Sequence, residues 1–455
     1  MRLSLHDLQG CFEGVIPALV ATSSLEGKPN VSYLSHVAAV DDDHIGLSNQ
    51  FFSKTSTNLR VNPKAMILVV DGRLGAQFML QAVYVGARSD GPVFERLAAQ
   101  VTASSVHVGL SGVMRLRCVD VFKVLAIEAV QGAGDVVVDL AASRSTLASA
   151  ARVCAAIMQE TEAGAIVDAT LAGLQRELGI SHALLLQHDP VRAQLSTIGS
   201  IGYRAGGIGS DVPLGQGVIG VAGQSGQTVK INEISRAARL SAAVSSADDI
   251  ADENTTRTIS LPGLADALSQ IAVPLIVRGV LHGVLFAESV QRLAFSREDE
   301  AAFVIIARQA GAALALAESL PPEGLAAAPA ETLPAPHGAL IELRYYPVDD
   351  SVFIDGNYVI KGIAGRLLHH MVAQYLEDGR RLFSNRQIRL DPALGLPDVK
   401  SNLETRLLLL RRRLEDKAFP IRLQQAGRGL LSLQCEGPVV LTIAGAQGLS
   451  PGVRP

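Results

Sequence analysis

The chain has 455 residues, 48% hydrophobic and 18% charged, with a formal net charge of −4. This composition excludes a disordered chain, and the length exceeds what one core supports, so about two to four domains are expected. We find no run of eighteen consecutive apolar residues of the kind that spans a membrane and no apolar signal-peptide core, so we expect a cytoplasmic protein without a membrane partner.

The four cysteines stand far apart in the sequence, at Cys11, Cys118, Cys154 and Cys435. Their spacing matches neither a metal site nor a disulfide framework, so no metal ligand is predicted and a reducing compartment is expected. Each is interpreted as a small buried hydrophobe.

Short strand-like runs separated by turns fill residues 14–130. A helix-like segment at 53–63 precedes the apolar strand 65–70, and it contains Ser53-Lys54-Thr55, Asn58-Leu59 and Asn62-Pro63. This order and this segment resemble the FMN-binding split barrel of the pyridoxamine 5′-phosphate oxidase superfamily. We therefore predict a split β-barrel over residues 1–135.

The helix start at Ser53 offers hydroxyls, a lysine and free N–H groups, which together suit a phosphate dianion. The resemblance implies FMN as the cofactor, with its phosphate contacted by Ser53, Lys54, Thr55 and Asn58. It also implies that the strand carrying Tyr33, Leu34 and Ser35 lies beside the flavin ring. The same hydroxyls can simply cap the helix. Split barrels also hold haem or F420, or no cofactor, and no catalytic acid–base set is recognisable, so no catalytic residue is assigned.

Residues 145–318 alternate helical and strand-like patterns. Gly215 and Gly217 precede a helix and are expected to adopt positive φ. Two apolar runs flank Arg278-Gly279 as in a hairpin, and Ser296 is a suitable cap for a final helix that begins with acidic residues. Together these features resemble a GAF domain, a small-molecule sensor fold. Its ligand is not specified by the sequence, and a ligand-free GAF domain used for dimerisation is the alternative.

Residues 319–338 contain five prolines and many alanines. This composition is typical of a semi-rigid, solvated linker. The tail at 441–455 is rich in Gly, Pro and Ser, and we expect it to be disordered. The intervening residues, 339–440, therefore form a separate domain.

That C-terminal domain begins with the alternating strand pattern of 340–346. A helical pattern covers 363–376 with Gly379 at its end, and Ser384 or Asn385 caps a short helix. A long helix is predicted over 398–414 and a hairpin over 421–433. This succession resembles the winged helix of response-regulator transcription factors, in which the third helix enters the major groove of DNA.

Residues 398–428 contain eight Lys and Arg against four Asp and Glu, so their local charge is +4. Such a basic stretch favours phosphate contact. The candidates for base or backbone contact are Lys400, Asn402, Thr405 and Arg406, and those for phosphate contact are Arg412, Arg413 and Arg428. Leu407–Leu410 departs from the family pattern, because one or two of these leucines should face solvent or a partner. A protein-binding winged helix and a merely solvated arginine face are therefore alternatives.

The complete hypothesis is a multidomain α+β protein: a split barrel, then a GAF sandwich, then a winged helix. We expect a cytoplasmic homodimer that binds DNA and responds to flavin redox state or to a small-molecule ligand. The final GAF helix, 295–318, is the expected link to the reader domain, because a ligand can shift the balance between domain arrangements. The alternatives are a flavin-dependent oxidoreductase with regulatory domains and a ligand-free dimeric adaptor.

Overall fold

The computed structural model describes residues 3–34, 36–50, 54–107, 115–130, 146–234, 253–319, 338–394, 403–427 and 429–444. Most of the predicted linker, the stretch 131–145 and the end of the tail lie outside these ranges. Among the predicted contact residues, Ser35, Ser53, Lys400, Asn402 and Arg428 also lie outside them.

The first folded part is an antiparallel sheet of seven strands in the order β2-β1-β5-β6-β7-β4-β3. Its strands are β1 (Ala18–Ser23), β2 (Pro29–Leu34), β3 (Val37–Ala39), β4 (His44–Asn49), β5 (Lys64–Val70), β6 (Gln77–Arg88) and β7 (Cys118–Ala129). Two helices accompany them, α1 (Lys54–Val61) and α2 (Gly91–His107).

The two edge strands of this sheet, β2 and β3, are separated along the chain only by residues 35 and 36. The backbone N–H of His36 donates to Ser48 Oγ on β4 at 3.2 Å. A sheet whose edges are joined by so short a connection has to curl until they meet, which produces a barrel. The predicted barrel is therefore confirmed.

Alternate residues of the strands fill the barrel. Val20 and Ile67 are fully buried, and the 3-10 helix Leu5–Phe12 covers the same core with Leu5, Leu8 and Cys11. Burial raises the pKa of the Cys11 thiol to about 12, so this cysteine is a buried, protonated hydrophobe as predicted.

The second part is an antiparallel sheet of six strands in the order β10-β9-β8-β13-β12-β11. Its strands are β8 (His182–Asp189), β9 (Gln194–Ile201), β10 (Asp211–Pro213), β11 (Val229–Ile231), β12 (Ser269–Val277) and β13 (Val280–Ser289). Its helices are α3 (Thr146–Gln159), α4 (Ala163–Leu178), α5 (Gly217–Ser225), α6 (Glu253–Thr256) and α7 (Arg297–Ser319).

The turn and helix-cap residues of this second part adopt the conformations that the sequence predicts. Arg278 and Gly279 adopt φ of 51° and 79°, the left-handed pair that a two-residue hairpin needs. Gly215 and Gly217 also have positive φ, at 84° and 60°. Ser296 caps α7: its Oγ accepts from the backbone N–H of Asp299 at 3.1 Å, and its own N–H donates to the Asp299 carboxylate.

Helices cover both faces of the six-stranded sheet. α3, α4 and α7 pack on one face around Ile166, Leu185 and Phe303. α5 packs on the other face, and helix α2 of the barrel joins it there through Ala99 and Ala103. The barrel and this second part thus share an apolar interface.

Helix α7 is long and apolar enough to cross a membrane by length and composition, but 50% of its most apolar window is buried. Phe303, Ile306 and Ala310 are fully buried in the core beside the six-stranded sheet. These contacts explain its apolar character, so we interpret α7 as a core helix.

The third part has two small sheets, in the orders β16-β15-β14-β20 and β17-β19-β18. Its strands are β14 (Ile341–Tyr346), β15 (Ser351–Ile354), β16 (Asn357–Ile360), β17 (Leu382–Ser384), β18 (Ile421–Gly427), β19 (Leu430–Cys435) and β20 (Val439–Ile443). Its helices are α8 (Ile363–Asp378), α9 (Asn385–Leu390), the 3-10 helix Pro392–Leu394 and α10 (Leu403–Asp416).

The predicted helix ends of this part are confirmed. Gly379 ends α8 in a left-handed conformation, with its N–H bonded to the carbonyl of Tyr375. Ser384 caps α9 through a capping box with Gln387. One boundary is wrong: β20 continues to Ile443, beyond the expected start of the tail at 441, because it pairs in parallel with β14.

Candidate functional sites

Two of the predicted flavin-phosphate residues, Thr55 and Asn58, lie where α1 meets the first two strands. Thr55 Oγ1 lies 2.7 Å from Ser32 Oγ and accepts from Asn30 Nδ2 at 3.0 Å. Asn58 Nδ2 donates to Thr22 Oγ1 at 3.2 Å. Both Thr55 and Asn58 are buried. These side chains hold α1 against the barrel wall, so their polar groups are already engaged by the protein.

The other predicted flavin contacts differ in exposure. Tyr33 is 76% exposed, and Lys54 at the start of α1 is also exposed. Leu34, by contrast, is 4% exposed and belongs to the barrel core, so it does not line the surface beside a flavin ring as expected. The hydroxyl, ammonium and amide donors suit a phosphate. Of the predicted flavin contacts that the structure describes, Lys54 and Tyr33 are the ones exposed to a ligand.

The predicted DNA-contacting helix α10 lies against the second part of the fold, the six-stranded sheet and its helices, instead of facing solvent. Arg412 makes three contacts there: Nη1 donates to the carbonyl of Ile198 at 2.7 Å, and Nη2 donates to the carbonyl of Gly164 at 3.1 Å and to Asp168 at 2.6 Å. Its side chain is 14% exposed. Asp168 and Gly164 belong to α4, and Ile198 belongs to β9.

Three further side chains predicted to contact DNA also point towards the protein interior. Arg413 is 1% exposed and donates to the carbonyl of Val359 at 2.9 Å and to Glu253 at 2.8 Å. Arg406 lies 3.4 Å from Asp189, and Thr405 donates to the carboxylate of Glu318. In this arrangement Thr405, Arg406, Arg412 and Arg413 are therefore not exposed to a nucleic acid, because α10 is enclosed.

Burial has an electrostatic effect on these arginines. It lowers the pKa of Arg406, which the nearby Asp189 opposes, and it lowers the pKa of Arg412, which Asp168 opposes. Arginine stays charged in proteins, so each buried guanidinium needs its carboxylate.

The four successive leucines of α10 account for the enclosure. Leu407, Leu408, Leu409 and Leu410 are all buried. Leu408 faces α4, where a Cβ added at Gly164 would come within 3.2 Å of its side chain. The partner that the sequence required for these leucines is thus the second part of the same chain.

The acidic partners Asp168, Asp189, Glu253 and Glu318 were missed by the sequence interpretation. Each lies in a different element, and no local spacing links any of them to α10. Only an excess of arginine beside an apolar run pointed to an unseen partner.

A buried polar cluster lies on the α5 side of the six-stranded sheet. Glu288 is 3% exposed and accepts from the backbone N–H of Leu264 at 2.7 Å, from Tyr203 Oη at 3.0 Å and from Gln270 Nε2 at 3.1 Å. Burial raises the pKa of Glu288. In the part of the chain that the structure describes, no group of three His, Cys, Asp or Glu residues is arranged to hold a metal.

Two family models match separate parts of the chain. Residues 6–125 match the pyridoxamine 5′-phosphate oxidase family, and residues 160–315 match the GAF domain. The chain thus contains an oxidase-like split barrel followed by a GAF domain. No curated protein matches the chain.

Similar solved structures each correspond to one part. An FMN-binding protein from Syntrophomonas wolfei is 17% identical, covering 28% of this chain and 87% of that chain with a TM-score of 0.24. The GAF domain of an Acinetobacter phosphoenolpyruvate-protein phosphotransferase is 19% identical, covering 40% and 99% with a TM-score of 0.31. Free methionine-R-sulfoxide reductase from Neisseria meningitidis is 21% identical, covering 38% and 90% with a TM-score of 0.30.

Proposed function

We propose that this chain is a cytoplasmic, signal-responsive transcription regulator that binds DNA through a C-terminal winged helix. The element order supports this proposal, because α8, β17, α9 and α10 are followed by the β18–β19 hairpin. β17 pairs with β19, so the hairpin is fixed beside the helices as a wing would be. In this reading α10 is the recognition helix.

The contacts of Arg412 carry the proposal. A helix that contacts DNA phosphates presents arginines, and carboxylates compete with phosphates for the same guanidinium groups. Asp168, Asp189 and Glu253 hold Arg412, Arg406 and Arg413 in this way. We therefore propose that the GAF domain holds the recognition helix in a form that does not bind DNA.

Release of α10 is the regulated step in this proposal. A signalling ligand acts by binding more tightly to the chain with α10 released than to the chain with α10 enclosed. Lys417 and Arg422 are also paired, with Glu253 at 3.5 Å and with Glu436 at 3.0 Å, but their side chains remain 46% and 50% exposed. Exposed ion pairs of this kind are weak, so a phosphate can displace these carboxylates first. The affinity for DNA should then rise when Arg406, Arg412 and Arg413 exchange their carboxylates for phosphates.

We propose FMN as the barrel's cofactor. Lys54 at the start of α1 would contact its phosphate, and Tyr33 would lie beside its ring, while Thr55 and Asn58 position α1 from inside. Bound FMN supplies redox chemistry, and here its oxidation state would be a signal. The visible absorbance of the purified protein tests this assignment: the bands of an oxidised flavin are expected, and a colourless protein that does not take up added FMN would contradict it.

A homodimer through the barrel is also proposed. On the outer face of β2, β1 and β5, apolar residues face each other across the strands in two neighbouring rows. One row is Val31, Ala21 and Met66, and the other is Tyr33, Leu19 and Leu68. Val31 and Tyr33 are 60% and 76% exposed. A contiguous apolar face of this kind is typical of a subunit interface.

The test of function uses Gly164, because the three atoms nearest to a Cβ added there all belong to α10, in Arg411 and Leu408. Gly164→Leu, the wedge variant, should therefore push α10 away from the GAF domain by steric overlap, without changing any charge. Ala172→Leu is the matched control, since Ala172 lies on the exposed face of the same helix α4. Fluorescence anisotropy measures binding of the full chain to a labelled duplex from the region upstream of its own coding sequence.

We expect Gly164→Leu to bind the duplex at least tenfold more tightly than wild type, which corresponds to about 1.4 kcal/mol, and Ala172→Leu to bind as wild type does. Hydrogen exchange of the α10 amides should accelerate in the wedge variant alone. If α10 is released by this second measure and no variant binds DNA, the DNA-binding function is wrong. If all three bind equally well, the masking of α10 is wrong.

A further inference from the structure

A cavity of about 370 Å³ lies between the barrel and the GAF domain. This size is within the range of small-molecule sites. The barrel part contributes apolar lining residues that include Phe12, Val15 and Leu97, and the GAF domain contributes Lys230 from the middle of β11. We call this space the barrel–GAF cleft.

Three charged side chains from three elements meet in the cleft. Lys230 Nζ lies 2.8 Å from Glu13 Oε2 of the barrel and 3.0 Å from Glu300 Oε2 of α7. The Lys230 and Glu13 side chains are only 8% and 9% exposed. Asn232 Nδ2 also donates to Glu13 at 2.8 Å. A buried ammonium with two carboxylates leaves one negative charge that needs a cation nearby.

Two arginines in the cleft lining supply more than that one charge. Arg96 comes from α2 and Arg297 from the first turn of α7. With Lys230 they make three cations against the two carboxylates Glu13 and Glu300, which leaves a net charge of +1. Glu233 also lines the cleft, but Arg292 neutralises it. Burial lowers the pKa of His36 in the lining to about 4, so this imidazole is uncharged near neutral pH.

The guanidinium of Arg96 uses only part of its hydrogen-bonding capacity. Its Nη2 donates to the carbonyl of Ala39 at 3.1 Å, and Arg96 forms no ion pair with any residue that the structure describes. A guanidinium presents five N–H donors in a planar fork that matches the two oxygens of a carboxylate. Apolar residues lining the same cleft as such a fork suit a molecule with one carboxylate and an apolar body.

We propose that the barrel–GAF cleft binds a small organic monocarboxylate, with the carboxylate at Arg96 and Arg297 and the apolar body against Phe12, Val15 and Leu97. The surplus positive charge selects the anion over a neutral analogue. The charge on Lys230 is already balanced by Glu13 and Glu300, so Lys230 shapes the cleft and does not provide the main anion contact.

The cleft lies at one end of α7 and α10 lies near the other. Arg297 and Glu300 belong to the first turn of α7. At its last turn Glu318 accepts from Thr405 of α10, and its carbonyl accepts from Arg389 at 3.2 Å. A helix of 23 residues spans about 35 Å. An occupant of the cleft therefore contacts the same helix that contacts α10, and this coupling, unlike the binding itself, rests on the proposed function.

Isothermal titration calorimetry of the full chain tests the site with phenylacetate as probe and phenylacetamide as its neutral isostere. Arg96→Gln removes the proposed anion contact. Arg176→Gln is the matched control, because Arg176 is an exposed arginine of α4 outside the cleft lining. Circular dichroism confirms that both variants are folded.

We expect one saturable phenylacetate site, with phenylacetamide and the Arg96→Gln variant each at least tenfold weaker and Arg176→Gln unchanged. Equal binding of acid and amide, unchanged binding by Arg96→Gln, or no binding of phenylacetate by wild type would each overturn the proposal. Repeating the DNA titration with saturating phenylacetate separates the two claims. A chain that binds phenylacetate but never binds DNA retains the cleft site and loses the regulatory function.

Discussion

A carboxylate oxygen of Asp168 in the GAF domain lies 2.6 Å from Nη2 of Arg412 in α10, across 244 positions of sequence. Arg412 also donates to two backbone carbonyls on the same surface, those of Ile198 and Gly164. The GAF domain thus binds a guanidinium through a set of acceptors that no short segment could provide.

Asp168→Asn should weaken this contact modestly, since the Asp168 side chain is 71% exposed and the two carbonyls remain. An exposed ion pair contributes up to about 1 kcal/mol, so the affinity for DNA should rise by up to roughly fivefold. Asp266→Asn removes the same charge at an exposed GAF position. It therefore measures how much the affinity rises simply because one negative charge no longer repels the DNA. Equal effects of the two variants in the anisotropy assay would show that the Arg412 contact does not restrain α10.

Thr405→Val tests the contact between the two helices α7 and α10. Glu318 has a raised pKa because it is buried, and Thr405 is one of the groups that oppose this rise. Loss of a hydrogen bond to a charged group costs about 1.5–3 kcal/mol, so the thermal midpoint at neutral pH should fall. The control Thr442→Val changes an exposed strand position and should leave the midpoint unchanged. A similar midpoint for all three proteins would mean that this contact is not formed.

Lys230→Met should destabilise the chain strongly. It leaves Glu13 buried without its cation, and removal of one partner from a buried ion pair costs about 3–5 kcal/mol. Adding Glu13→Gln and Glu300→Gln should recover most of the loss, because the uncompensated charges are then gone. Calorimetry compares these variants with Lys123→Met, which replaces an exposed lysine of β7. Failure of the triple variant to recover would contradict the charge balance inferred for the cleft.

Glu288→Gln is expected to change the pH dependence of stability. Burial raises the folded-state pKa of Glu288 above its unfolded value near 4.5. A carboxyl with a raised pKa contributes stability that is present below the unfolded pKa and is lost as pH rises through the folded value. Relative to wild type, Glu288→Gln should therefore gain stability as pH rises above 4.5. Thermal midpoints across this range should show no such trend for the exposed Glu160→Gln control, and a flat difference for Glu288→Gln would contradict the prediction.

Tyr33→Glu should dissociate the proposed barrel dimer, because it places a charge in the centre of the apolar face. Leu25→Glu is the control: Leu25 is 71% exposed but lies in the turn after β1. Sedimentation velocity is expected to show a dimer for wild type and the control and a monomer for Tyr33→Glu. The same oligomeric state for all three proteins would contradict the assignment of this face as the dimer interface.

Much of the fold could be predicted because its signals are local. Arg278-Gly279 determines a hairpin through backbone conformation at two residues, and Ser296 and Ser384 begin helices through hydrogen bonds that span three residues. The candidate sites were harder to predict. Thr55 and Leu34 were correctly placed near the start of α1 and on β2, yet Leu34 belongs to the barrel core and Thr55 is bonded to the barrel wall.

The sequence by itself determined many of the elements, several helix caps and the presence of an arginine-rich, leucine-rich helix that needs a partner. Only the tertiary structure decided what that partner is. Whether Arg412 faces DNA or Asp168, and whether Lys230 is solvated or held between Glu13 and Glu300, depends on groups more than fifty positions away. Charge and apolar pattern specify that a side chain needs compensation, but packing between domains determines which group provides it.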